Sequence, residues 1–134
     1  MELKEYIEEL QLRIQATYEE DVTIGRAEKL ASELLSAQLI ISKELAALDL
    51  DARMRKSGVK AIRGAVYLEE ARRGDKKPSD TMLTAFVDTS DLVTGEQKRL
   101  DEAEVKKAEL ERIFDILTNG HIHYRTIAKG SFSL

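Results

Sequence analysis

The chain has 134 residues, 34% of them charged and 5% aromatic, with one proline, no tryptophan and no cysteine. That is the composition of long charged helices rather than of a β-sandwich or a mixed sheet, and it excludes disulfides, thiol catalysis and cysteine-ligated zinc. The formal net charge of −4 exerts no overall pull toward nucleic acid, so the distribution of charge matters more than its sum.

Residues 2 to 18 read as a first helix, with Leu3, Ile7, Leu10 and Ile14 at four-three-four spacing and Tyr6 and Tyr18 beside them. Asp21-Val22-Thr23 interrupts the pattern, and Thr23 is placed to cap a second helix. Residues 24 to 56 read as one long helix. Ala27, Ala31, Leu34, Ile41, Leu45, Leu48 and Ala52 follow a heptad track, which Leu30, Leu35 and Ala37 widen. A helix of that length measures about 50 Å, against a diameter of about 37 Å for a compact globule of this size. The expectation is an elongated protein whose apolar stripe needs a partner.

Ser57-Gly58 signals a break or bend, and a further helix is expected over 59–73. Gly74 to Pro78 reads as a linker. Ser79 caps a short helix through Met82, Leu83, Phe86 and Val87. The last long helix is expected over about 91–118 on a track of Val93, Leu100, Ala103, Leu110, Phe114 and Leu117. Glu96 and Lys107 also fall on that track, so it is not a clean dimeric zipper. Asn119-Gly120 ends or kinks it, and the pattern resumes through Ile122, Tyr124 and Ile127. The class is all-α: one domain over 1–134, a helical hairpin or bundle with two long amphipathic helices. The oligomer interface is assigned to Leu34, Ile41, Leu45, Leu110, Phe114 and Leu117.

Charge is concentrated at the centre. Between Arg53 and Lys77 stand nine basic residues and three acids, so that segment is +6 and the remainder −10. If the helix continues through Gly58, then Arg53, Lys56, Lys60 and Arg63 share one face. Such a face neutralises phosphates without reading sequence. The competing reading is a solvated face that pairs with Asp49 and Asp51. The stretch His121 to Lys129 adds a smaller basic region with Arg125 and Lys129. Tyr124 there suits burial better than base stacking, and His121-x-His123 is a weak metal signal because a helix points the two imidazoles more than a right angle apart. No phosphate loop, nucleophile elbow or zinc-hydrolase motif is present. No metal or cofactor is expected, nor an enzyme. No apolar run approaches the roughly 20 residues of a membrane span, and the acidic, amphipathic start is unlike a signal peptide. The setting that fits is cytoplasmic.

At Ala52-Arg53-Met54-Arg55-Lys56-Ser57-Gly58 the chain resembles the small helical recombination mediators of tailed phages, the UvsY-like proteins. The family shares a short acidic N-terminal segment, a long helix ending in a basic Ala-Arg…Ser-Gly element, a charged linker, and a second long helix with a basic end. Here the Ala-Arg to Ser-Gly spacing is one residue shorter, and Arg55 and Lys56 stand where the family has aromatics. The resemblance implies an oligomer that binds single-stranded DNA and helps a recombinase displace single-strand-binding protein. Arg53 matches the motif's arginine; Arg55, Lys56, Lys60 and Arg63 extend the surface by charge alone. The alternatives are a protein-interaction module without nucleic-acid binding, such as a phage inhibitor or adaptor of a host protein, and a scaffold component.

Overall fold

The computed structural model describes residues 2–18, 22–73 and 78–130. Among them there are four helices and no strand: α1 (Leu3–Tyr18), α2 (Ile24–Ala71), α3 (Asp80–Thr89) and α4 (Asp91–Gly130). The all-α expectation therefore holds. Asp21, the Tyr18 side chain and the linker glycine Gly74 lie outside the described residues.

Two of the expected breaks are absent. α2 runs unbroken through Ser57-Gly58, and α4 runs unbroken through Asn119-Gly120. A glycine inside a helix costs about 1 kcal/mol relative to alanine. The apolar residues on either side of Gly58, Ala52, Val59 and Val66, are all buried, and together they outweigh that cost. Gly120 has a packing role. A Cβ there would sit 3.2 Å from Leu34 Cδ1, so its lack of a side chain is what lets α4 approach Leu34. The anticipated caps are present. Thr23 Oγ1 accepts from the Arg26 N–H at 3.3 Å, and Ser79 Oγ accepts from the Met82 N–H at 3.2 Å. A single residue, Ser90, closes α3 and opens α4. Its N–H donates to Val87 O, and its carbonyl accepts from the Thr94 N–H.

Contacts divide the chain into two compact units. The first comprises residues 1–42 and 112–134. In it α1, the start of α2 and the end of α4 pack around Ile7, Leu10, Ile14, Leu34, Ile41, Leu117 and Tyr124, all buried. Every pair of helices is tied. Arg13 meets Glu33 at 2.6 Å, Gln38 Nε2 donates to Thr118 Oγ1 at 2.6 Å, and the Tyr124 hydroxyl donates to Ile14 O at 3.4 Å. The second unit comprises residues 43–111. There α2 and α4 run antiparallel, with Val59 and Leu100 in the core and Val66, Val87 and Val93 clustered where α3 joins them. Tyr67 donates to Asp80 at the start of α3.

This packing corrects the interface assigned from sequence. Leu34, Ile41 and Leu117 are wholly buried within one chain, and Leu110 nearly so. Leu45 and Phe114 are half-buried. The heptad stripe is covered by the chain's own helices, so it does not require a second copy. Leu35 and Ile122, expected on the covered faces, are exposed. Lys107 sits on the apolar track because its ammonium reaches Asp49 at 2.7 Å.

Candidate nucleic-acid interface

Successive residues of an α-helix turn by about 100°. On the continuous α2, Lys56, Lys60 and Arg63 fall within about 80° of Arg53, so the shared face expected of them is present. Arg55 lies about 160° from Arg53, on the other flank of the helix. It pairs there with Asp51 at 3.1 Å, so it does not belong to the same surface.

The face is less positive than the sequence count suggests. Arg53 holds Asp49 at 3.0 Å, one turn back on α2. Arg63 reaches Asp88 of α3 at 2.6 Å. Next to Arg53 and Lys56 the surface opens into a cleft of about 460 Å³ against α4, where Lys107 adds a cation and Asp49, Glu104 and Glu111 add three carboxylates. That part of the band is balanced. The Lys107 hydrogen bond holds the Asp49 carboxyl below the ordinary range; burial opposes this and the Arg53 charge reinforces it. Lys107 is raised in turn, first by its bond to Asp49. Lys56 and Lys60 hold no ion pair among the described residues.

Arg125 and Lys129 lie one turn apart on α4, both exposed, and belong to the first unit, whereas the α2 band belongs to the second. Tyr124 is wholly buried and so not free to stack on a base. His121 Nδ1 is 2.8 Å from the Ala31 carbonyl, and no cluster of potential metal ligands occurs among the described residues. Sequence reasoning missed the acids that α3 and α4 bring to the band, Asp88 and Glu104. Both stand at least 25 residues from their basic neighbours, and no local pattern links them. It also missed a cleft of about 570 Å³ in the first unit, where Arg13, Arg26 and Lys29 gather beside Glu33 from two helices.

No helix of the described residues is long and apolar enough to cross a membrane. No protein-family model, no curated protein and no solved structure matches the chain.

Proposed function

We propose that this chain is a non-enzymatic, single-stranded DNA-binding recombination mediator that helps load a recombinase and displace single-strand-binding protein. One observation carries the DNA-binding part: the unbroken α2 aligns Arg53, Lys56, Lys60 and Arg63 on one face, and the two lysines hold no ion pair among the described residues. Lys56 and Lys60 are separated by a rise of about 6 Å along the helix, comparable with the phosphate repeat of an extended single strand. Cations so placed bind by releasing counterions and are indifferent to sequence. The mediator role rests on the resemblance at Ala52 to Gly58 and on the order of the elements.

Anisotropy of a labelled oligo-dT across a salt series tests it. Lys56→Glu with Lys60→Glu should abolish binding at moderate salt with helicity intact, whereas Arg55→Glu, on the other flank, should leave affinity nearly unchanged. Undiminished affinity in the double-lysine variant refutes the assignment. A second reading, a protein-interaction module without nucleic-acid binding, is favoured by the exposed apolar side of α3, where Met82 and Phe86 lie one turn apart. Absence of any oligo-dT binding at low salt, with capture of one host protein that Met82→Glu abolishes, would establish that reading instead.

A further inference from the structure

Charge alone does not select a single strand. Duplex DNA releases about 0.9 counterion per phosphate neutralised, against about 0.7 for a single strand, so a purely cationic band favours the duplex. What a single strand offers in addition is the open face of each base, which stacks on aromatic side chains.

The second unit holds two aromatic residues, Tyr67 and Phe86. Phe86 lies about 120° or more around α3 from Asp80 and Asp88, the residues that meet α2, and so is turned away from the band. Tyr67 is part of the band. At about 100° per residue, Arg53, Lys56, Lys60 and Arg63 all fall within about 40° of it, two on either side. Along the helix axis Tyr67 stands about 10 Å beyond Lys60.

The ring is held in place. It packs against the Val66, Val87 and Val93 cluster, and its hydroxyl donates to Asp80 on α3. It stays half-exposed even so. A helical side chain covers the turn before its own Cα, which here holds Arg63 and Gly64. Gly64 brings no side chain, and nothing lies within 4 Å of where its Cβ would be. The ring thus rests on the core while the surface beside it, toward Gly64 and Lys60, is open. Fixing a contact beforehand removes much of the ordering cost of binding. The carboxylates of Asp80 and Asp88 disfavour a phosphate at this end of the band, so the phosphates belong at Lys56 and Lys60 and a base at the ring.

We propose that Tyr67 is a base-stacking platform, the residue by which the band engages an unpaired base as well as phosphates, an inference that rests on the nucleic-acid reading of the band.

Anisotropy competition with the full chain tests it, comparing oligo-dT with an abasic oligonucleotide of the same length. The wild type should bind oligo-dT at least about fivefold more tightly, the factor that one stacked base contributes. Tyr67→Leu, which keeps an apolar side chain against the cluster, should bind the two strands equally. Its abasic affinity and its slope of log affinity against log salt should match the wild type, because stacking releases no phosphate counterions. Tyr67→Phe should keep the preference, since the ring and not the hydroxyl stacks. The chain has no tryptophan, so Tyr67→Trp reports on this site alone: oligo-dT should quench its fluorescence and the abasic strand should not. Equal wild-type affinities for the two strands, a preference that survives Tyr67→Leu, or an unquenched Tyr67→Trp overturns the stacking role and leaves phosphate binding in place. A wild type that binds neither strand at low salt overturns the DNA-binding reading itself, and the stacking role with it.

Discussion

Leu34 and Leu117 show how much of the first unit hangs on single side chains. Both are wholly inaccessible, and Leu34 also lies under Gly120, where no Cβ intervenes. Truncating a buried leucine removes its transfer energy and leaves a cavity, at a cost of about 2–5 kcal/mol. Leu34→Ala and Leu117→Ala should each lower the urea midpoint by that equivalent, whereas Leu35→Ala, one residue along on an exposed face, should shift it little. The Asp49–Lys107 pair behaves differently, because it acts through charge. The Asp49 carboxyl is depressed below its ordinary value of 3.8, so its contribution is present above that pH and is lost as pH falls through the folded pKa. Lys107 is raised above 10.5, so its contribution is complete below that pH and is lost as pH rises through its folded pKa. The pair therefore supports the fold between these limits. In an NMR titration Lys107→Ala should return the Asp49 pKa toward its ordinary value; no movement would show that the two groups are not coupled in solution.

At the scale of the element, α2 departs furthest from expectation. Ser57-Gly58 has the composition of a break, yet the helix continues, because propensity at one residue is a small term against burial on both sides of it. Gly58 has nothing within 4 Å of where a Cβ would lie. Gly58→Ala should therefore stabilise by about 0.5–1 kcal/mol in urea denaturation, with no loss of oligo-dT affinity. Destabilisation would mean that the glycine is needed for a bend. The helical caps at Thr23 and Ser79 were legible because a cap is a contact within four residues of sequence. Leu35 and Ile122 were misplaced because a heptad track widened by one residue on a helix of 3.6 residues per turn drifts out of the covered sector.

For the molecule as a whole, binding to single strands should follow counterion release. With contacts from Lys56 and Lys60 alone, the slope of log affinity against log salt should be about −1.4; with Arg53 and Arg63 released from Asp49 and Asp88 it should steepen to about −2.8. A flat salt response would argue against a phosphate-binding band. The sequence by itself determined the helical class, the starts of the helices and the apolar residues of the heptad tracks. Each of these comes from the 3.6-residue period and from contacts a few residues long. Only the tertiary structure decided that the heptad stripes are covered within one chain and that Asp88 and Glu104 temper the basic band. It also decided which side of α2 is left bare. These outcomes depend on which distant helices meet, and a helix with apolar residues on two opposite faces does not declare from its own sequence which of them its chain will bury.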